Sequence, residues 1–224
     1  MYLVLFDCDG TIVDSQHMIV EAMARAFGRH GLAAPARAAV VDVIGLSLPV
    51  AIARLLPEGS AVAADDIVES YKAGYFEMRS DPVHREMLFP GAREAIEALG
   101  RRADVLLGVA TGKSQRGVRS LFAATGLGHH FTTIQTADDA PSKPHPGMVH
   151  QAVAETGVAM KNVVVVGDTS YDMEMAAAAG ATGIGVAWGY HPPAVLESAG
   201  AARIIARFDE LVPLLEHSFF VEGQ

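Results

Sequence analysis

The sequence predicts an α/β protein in which an all-helical cap domain is inserted after the first strand of a parallel sheet core. Short apolar runs alternate with segments of helical periodicity, which is typical of parallel sheets covered by helices. Polar residues follow several of these runs, where the strands of such a sheet end. One long segment shows helical periodicity without a strand pattern, and this segment is the predicted insert.

The predicted core is a Rossmann-like parallel sheet. Each expected strand is a short apolar run with Gly, Asp or Thr at its flanks. The runs span residues 3–6, 105–110, 163–166 and 184–187, and a weaker run spans residues 131–135. Helical periodicity in the intervals stops at Gly126 and Gly157, because glycine readily adopts the left-handed backbone that ends a helix.

The region from residue 15 to residue 85 interrupts this alternation. Its first helix has one apolar face and ends at Gly31, and further helices are expected at residues 49–56 and 65–79. Helical inserts of this kind can act as lids over the carboxyl ends of the strands, where open α/β sheets bind ligands.

Turn signals after the insert define the expected domain boundaries. Asp81-Pro82 and the turn at residues 89–91 mark the return of the α/β pattern. We therefore expect residues 1–14 and 86–224 to form the core domain and residues 15–85 to form the helical cap domain.

Composition narrows the classes of partner and the cellular location. The 224 residues carry a formal net charge of −9, which disfavours nucleic acid and anionic membranes as partners because both require basic surfaces. No apolar run reaches the roughly 18 to 20 residues that span a bilayer. Cys8 is the single cysteine, so no intramolecular disulfide can form, and we expect a cytoplasmic protein. The sequence does not distinguish a monomer from a homodimer.

Four polar clusters lie where predicted strands end or where the next helix begins. They are Asp7-Cys8-Asp9-Gly10-Thr11, Ala110-Thr111-Gly112-Lys113, Ser142-Lys143-Pro144-His145-Pro146 and Gly167-Asp168-Thr169-Ser170-Tyr171-Asp172. Carboxylates brought together at one sheet edge repel one another, and a divalent cation relieves that repulsion. Oxygen ligands suit Mg²⁺, which also favours phosphate oxygens, while lysine and threonine are suitable donors to a phosphoryl group.

In this order, the clusters resemble the four motifs of the haloacid dehalogenase superfamily of phosphohydrolases. The resemblance covers the whole chain, including the helical cap after the first motif. It implies that Asp7 is the nucleophile and that Asp9 is the general acid/base. It also implies that Mg²⁺ is held by Asp7, by the backbone carbonyl of Asp9 and by Asp168. Gly10 supports this site because glycine permits the backbone of a sharp turn.

The same resemblance implies a set of groups that hold the phosphoryl oxygens. Thr111 matches the hydroxyl of the second motif, and Lys143 matches the lysine of the third, so both are catalytic candidates. The backbone N–H of Gly112 is expected to add a further donor. Asp172 matches the second acid of the fourth motif and is expected to position Lys143 or a water molecule on the metal.

The implied reaction is a two-step phosphoryl transfer from a small phosphorylated metabolite. Asp7 attacks phosphorus to form an aspartyl phosphate. Asp9 protonates the leaving alkoxide and then deprotonates the water that hydrolyses the intermediate. Dehalogenases of this family lack an acid at the position of Asp9, so phosphate chemistry is expected here. Residues 143–146 and 187–190 look most like phosphoglycolate phosphatases, which makes phosphoglycolate a candidate substrate.

Two functions are alternatives to that of a phosphatase. Phosphotransferases of the β-phosphoglucomutase type carry a Gly-x-x-Arg loop in the cap, where this chain has Gly45-Leu46-Ser47-Leu48. Receiver-type signalling domains, which are not enzymes, also accept phosphate on an aspartate beside Mg²⁺, lysine and threonine. They are much shorter, however, and lack a helical insert.

Other polar residues are assigned places outside the catalytic set. Lys113 is expected on the surface at a helix start, since residues 108–114 miss the spacing of a P-loop by one residue. Cys8 is expected to point away from the site, because side chains alternate along a strand. His17 is a candidate substrate contact near the cap entrance, and His30 is expected to pack in the apolar face of its helix.

Overall fold

The computed structural model describes residues 1–79 and 86–220, and within them the strands form two sheets. The strands are β1 (Tyr2–Phe6), β2 (Val13–Asp14), β3 (Met87–Leu88), β4 (Val105–Thr111), β5 (Phe131–Thr136), β6 (Val163–Gly167), β7 (Thr182–Val186) and β8 (Arg203–Ile205). The larger sheet has the order β5-β4-β1-β6-β7-β8, and all of its neighbouring strands run parallel. β2 and β3 form a separate antiparallel pair.

Helices follow most of the strands and also make up the insert. They are α1 (Gln16–Arg29), α2 (Arg37–Asp42), α3 (Leu48–Leu55), α4 (Ala64–Arg79), α5 (Ala92–Gly100), α6 (Gln115–Thr125), α7 (Gly147–Thr156), α8 (Ser170–Ala179), α9 (Pro193–Ser198) and α10 (Leu211–Ser218). Sequence signals explain the ends of several of them. Ser114 caps α6 by accepting a hydrogen bond from the Gly117 N–H, and Gly126 ends that helix with φ of 74°.

The apolar residues of β1 explain why this strand lies in the middle of the sheet. Val4 and Phe6 belong to a core cluster on one face, while Leu3 and Leu5 belong to a second cluster on the other. All four side chains are fully buried, and complete burial of an aliphatic or aromatic side chain contributes about 1.5–3 kcal/mol. Because side chains alternate along the strand, β1 presents apolar residues to both faces of the sheet. Helices cover both of these faces, as is typical of parallel sheets.

The strand order places the ends of three motif-bearing strands side by side. After β1 the chain continues to β4 on one side of it, and β6 joins on the other side. Ligands of open α/β sheets bind where the order of strands reverses in this way, beyond the carboxyl ends. The turns after β1, β4 and β6 meet at that edge.

The insert is built from helices that pack on one another. α1 contacts α2 and α4, and α3 also contacts α4. Their buried apolar residues form a cluster of its own that includes Met23, Phe27, Ile52 and Ile67. β2 and β3 pair where the chain enters and leaves this helical segment, with Val13 opposite Leu88.

The α/β fold predicted from the sequence is confirmed, and each of the five expected strands lies within two residues of its predicted position. The helices expected at residues 49–56 and 65–79 are also present, as α3 and α4. The division into a core and a cap domain at fixed residues stays a prediction, and its turn signal at Asp81-Pro82 lies outside the described residues. Among the described helices, none has the length and apolar character to cross a membrane, and the cytoplasmic location stays a prediction.

Candidate active site

Three carboxylates and one ammonium meet where β1 and β6 end. Asp7 follows β1, while Asp168 and Asp172 follow β6, and one oxygen of each lies within 4.8 Å of the others. The Nζ of Lys143 lies 2.8 Å from Asp7 Oδ1 and 2.5 Å from Asp172 Oδ1. All four side chains are buried, and with the three acids ionised the single ammonium leaves two negative charges unbalanced among the described residues.

Burial and mutual repulsion perturb the titration of these groups. Burial raises the pKa of Asp7 to about 6, against the opposing effect of Lys143. Burial, together with the charges of Asp7 and Asp172, raises the pKa of Asp168 well above its usual value. Burial alone would lower the pKa of Lys143, but the carboxylates of Asp172 and Asp7 outweigh it and raise that pKa. The site therefore holds a charged lysine, but this one positive charge is too little to balance three acids.

The cluster fits a bound divalent cation. Asp7 Oδ2 is buried and has no hydrogen-bond partner within the described residues, although buried polar atoms normally have one. The candidate ligands are all carboxylate oxygens, which Mg²⁺ and similar hard cations prefer. One divalent ion would also balance the two unpaired negative charges.

Asp168 is held by the turn that follows β1 and by the loop that follows β7. Its Oδ1 accepts a hydrogen bond from the Thr11 hydroxyl at 2.9 Å, and its Oδ2 accepts one from the Tyr190 N–H at 2.9 Å. Gly10 lies against the same carboxylate with φ of 88°, and a Cβ on it would come 2.1 Å from Asp168 Oδ2. Both the backbone angle and the missing side chain of Gly10 are therefore required for this arrangement.

Asp172 serves both the first turn of α8 and Lys143. Its Oδ2 accepts hydrogen bonds from the N–H and the hydroxyl of Thr169, which form a capping box with it. Its Oδ1 accepts the hydrogen bond from Lys143. Of the two partners expected for Asp172, Lys143 is in contact with it, and the helix cap fixes the geometry of that contact.

Asp9 lies apart from the three clustered carboxylates and has different partners. Its Oδ1 accepts a hydrogen bond from the Ser15 hydroxyl at 2.5 Å and another from Lys113 Nζ at 2.7 Å. Both donors reach the same oxygen, so the carboxyl group is held from the entrance of α1 and from the turn after β4. The side chain nevertheless lines a cavity between the strand ends and the insert.

The prediction that Lys113 is a surface residue is wrong. Its side chain is only 8% exposed, and its Nζ lies 2.9 Å from Glu86 Oε1 in addition to its contact with Asp9. The ammonium also lies 5.6 Å from the ring centroid of Tyr75. The sequence position next to a helix start is typical of an exposed lysine, but Tyr75 of the insert covers this side chain, and Glu86, just after the insert, supplies an acid for it.

Glu86 joins that lysine to the insert, and sequence reasoning did not identify it. It accepts a hydrogen bond from the Tyr75 hydroxyl at 2.7 Å, and Arg79 lies 2.7 Å from its other oxygen. Burial alone would raise the pKa of Glu86, but Lys113, Tyr75 and Arg79 together hold it below its usual value. Glu86 is therefore a charged acid, although no motif in the sequence marked it.

Thr111 and Gly112 lie at the end of β4, beneath a loop of the insert. Thr111 is buried, and its hydroxyl accepts a hydrogen bond from the Lys113 N–H at 3.2 Å. A Cβ on Gly112 would lie 2.4 Å from the carbonyl oxygen of Leu46. The Ser47 N–H, in the same loop, donates a hydrogen bond to the hydroxyl of Ser142 at 2.8 Å. The loop at residues 45–47 thus touches the turns that carry the second and third motifs.

The remaining residues singled out from the sequence lie elsewhere. Cys8 is fully buried in the apolar core, where burial and the neighbouring acids raise the pKa of its thiol. His17 is exposed on α1 and does not line the cavity. His30 is half-buried at the end of α1, and its Nε2 lies 2.8 Å from the hydroxyl of Ser70 on α4.

A cavity of about 1020 Å³ lies between the strand ends and the insert. Asp7, Asp9, Thr111 and Gly112 form its floor, and helices of the insert supply much of its wall. The cavity therefore gives a ligand access to Asp7, Thr111 and Gly112 at one time, while Lys143 lies behind Asp7 and does not line it.

Comparison with known proteins identifies the family. Residues 4–186 match the model described as "Haloacid dehalogenase-like hydrolase". The "Probable phosphatase IndB" of Dickeya dadantii is 36% identical over 94% of this chain and 91% of its own length. A phosphoglycolate phosphatase of Pectobacterium atrosepticum is 28% identical over 95% of this chain and 92% of its own. The structure of a hydrolase from Pseudomonas syringae matches with a TM-score of 0.84 and 26% identity, over 97% of this chain and 99% of the other. The chain therefore belongs to the haloacid dehalogenase-like hydrolases and is a phosphatase of that family.

Proposed function

We propose that this phosphatase is Mg²⁺-dependent and hydrolyses a small-molecule phosphate monoester through an aspartyl phosphate on Asp7. The environment of Asp7 carries the proposal. Its Oδ2 is buried without a hydrogen-bond partner among the described residues, and the side chain faces the cavity beside Lys143. A carboxylate oxygen kept free in this way can attack a phosphorus atom placed above it.

Asp9 is proposed as the general acid/base of both steps. It donates a proton to the leaving alkoxide and then accepts one from the water that attacks the phosphoenzyme. Ser15 and Lys113 both bind its Oδ1, and this supports a fixed orientation of the carboxyl group toward the cavity. A fixed acid at hydrogen-bonding distance is what general acid catalysis requires.

Lys143, Thr111 and the Gly112 N–H are proposed to bind the phosphoryl oxygens. The charge of Lys143 is secured by Asp7 and Asp172, which supports its role as a permanent donor to an anionic group. Asp172 positions that ammonium and is itself held by the cap of α8.

Mg²⁺ is proposed as the cofactor, with Asp7, Asp168 and the backbone carbonyl of Asp9 as its protein ligands. The unbalanced negative charge of the cluster supports it, and both oxygens of Asp7 are buried without a hydrogen-bond partner among the described residues, so that one can hold the ion while the other attacks phosphorus. When bound, the ion neutralises charge on the phosphoryl group and orients it. The names of several relatives make phosphoglycolate the first substrate to compare.

Hydrolysis of para-nitrophenyl phosphate tests the proposal. Wild-type protein should release phosphate with Mg²⁺ and lose turnover in excess chelator, while Asp7→Asn should lower kcat by about 10⁴-fold. Asp209→Asn makes the same substitution at a side chain that is 67% exposed and should leave kcat unchanged. Turnover that persists in Asp7→Asn would exclude the aspartyl phosphate.

Mass spectrometry after rapid acid quenching supplies a readout that does not depend on turnover. A phosphoryl group should be found on the peptide that contains Asp7. Labelling of any other peptide in place of this one would contradict the proposed nucleophile.

A further inference from the structure

The insert lines the cavity mostly with apolar and aromatic side chains. Met23 of α1, Val40 of α2, Ile44 and Leu48 from the α2–α3 region, and Tyr71 and Tyr75 of α4 all contribute to the wall. The rings of Tyr71 and Tyr75 stack with their centroids 5.7 Å apart. A surface of this kind favours an apolar or aromatic body over a strongly hydrated one.

The volume of the cavity is larger than a very small phosphate ester would fill. Its volume of about 1020 Å³ lies at the upper end of the range of about 300–1,000 Å³ that is typical of small-molecule pockets. The residues proposed to receive the phosphoryl group and to bind its oxygens, Asp7, Thr111 and Gly112, lie at the floor. Most of the volume therefore remains for the alcohol part of the substrate.

Two lining cations of the described residues, the buried Lys113 and the half-buried Arg79, already have acid partners. Lys113 is shared between Asp9 and Glu86, and Arg79 is paired with the second oxygen of Glu86. Of the exposed cations of the lining, Lys72 pairs with Glu69 at 2.8 Å.

The remaining cation in the part of the lining that the structure describes is Arg116, which is also exposed. Its guanidinium lies 4.0 Å from the ring centroid of Phe76 and so stacks on an aromatic side chain. Among the described residues, a substrate carboxylate placed within the buried wall would thus lose its hydration without gaining an uncommitted cation, which is costly.

From the wall, the volume and the paired cations, we infer that the substrate is a phosphate monoester of a bulky, apolar or aromatic alcohol that packs against the insert. This inference rests on the proposed phosphatase function and deepens it. It disfavours phosphoglycolate, whose short alcohol part ends in a carboxylate. Specificity then comes from apolar contact with the insert, while the strand ends bind the phosphoryl group.

Three esters test the inference. Two of them have simple alkanol leaving groups of similar basicity and differ in size, and the third has a short alcohol part that ends in a carboxylate. The esters are propyl phosphate, 3-phenylpropyl phosphate and phosphoglycolate, assayed by phosphate release with Mg²⁺. The kcat/KM for 3-phenylpropyl phosphate should exceed those of both other esters by about tenfold or more. An equal or higher kcat/KM for phosphoglycolate overturns the inference and leaves the phosphatase function intact. Failure of all three esters, and of para-nitrophenyl phosphate, would instead overturn the proposed function and this inference with it.

A pair of variants on α3 locates the contact. Leu48 is half-buried and lines the cavity, whereas Val50 on the same helix is exposed and does not line it. Leu48→Ser should lower kcat/KM for 3-phenylpropyl phosphate several-fold and leave that for propyl phosphate unchanged. Val50→Ser should change neither value. An equal loss for both esters in Leu48→Ser would show that the apolar body does not bind at this wall.

Discussion

Replacing Gly112 by alanine perturbs the contact between the catalytic strand ends and the insert. The new Cβ would lie 2.4 Å from the carbonyl oxygen of Leu46 and 2.7 Å from that of Gly45, and real Cβ contacts are essentially never below 3.0 Å. Both obstacles are backbone atoms, so no side-chain rotation relieves the overlap. The loop at residues 45–47 must retreat by about 1 Å to restore ordinary van der Waals contact.

The expected cost follows from that displacement. The loop contacts Gly112 and, through Ser47, the turn that precedes α7, so its retreat shifts groups beside the proposed phosphate site. A misplacement of about 1 Å near reacting groups can lower the rate about 10²-fold. We expect Gly112→Ala to lower kcat/KM for para-nitrophenyl phosphate by about 10- to 100-fold.

A matched glycine separates this effect from a general effect of alanine. Gly28 lies on the exposed side of α1, and a Cβ there meets nothing within 4 Å. Gly28→Ala should keep the wild-type kcat/KM and raise the melting temperature slightly, because alanine favours a helix by about 1 kcal/mol over glycine. Wild-type kcat/KM in Gly112→Ala would refute the reasoning, since the loop could not then cover Gly112 during turnover.

Three further predictions concern the metal, the buried lysine and pH. Gly10→Ala should abolish the rise in melting temperature that Mg²⁺ gives to the wild-type protein, because the new Cβ overlaps the Asp168 carboxylate; an unchanged rise would argue against that ligand. Lys113→Met should destabilise the fold by about 3 kcal/mol because it removes the ammonium that two buried acids share, whereas Lys72→Met, at an exposed pair, should cost less than about 1 kcal/mol; urea unfolding compares them, and equal losses would contradict the buried network. The pKa of Asp7 is raised from 3.8 to about 6, so without metal its contribution to stability is present at low pH and is lost as pH rises through 6. Protons should therefore compete with Mg²⁺ below pH 6 and weaken its binding by up to about tenfold per pH unit, and calorimetric titration that finds the same affinity at pH 5 and pH 7.5 would contradict this.

The sequence predicted the parts of the site that follow from strand topology. Asp7, Thr111 and Asp168 each follow a buried strand, and parallel strands bring such positions to one edge. β8 was not predicted from the sequence because it has only three residues and begins with an arginine. The six-residue helix α2 is also too short to show a helical period.

The contacts of Asp9 could not be predicted in the same way. Lys113 and Glu86 lie in separate segments, and neither belongs to a repeating pattern or a spaced motif. Their approach depends on how the insert packs over the strand ends. The apolar wall of the cavity has the same origin, because its residues come from several helices whose periodicity indicates only that one face is buried.

The small antiparallel pair of β2 and β3 has a consequence for how such an enzyme can change. Val13 and Leu88 are direct partners, so the chain departs for the helical segment and returns from it at neighbouring points. Strands paired in this way lie roughly 5 Å apart. A helical segment of another length or sequence can therefore be joined at the same two places without altering the order of the six parallel strands. Substrate choice and phosphoryl chemistry thus reside in parts of the chain that are able to diverge at different rates.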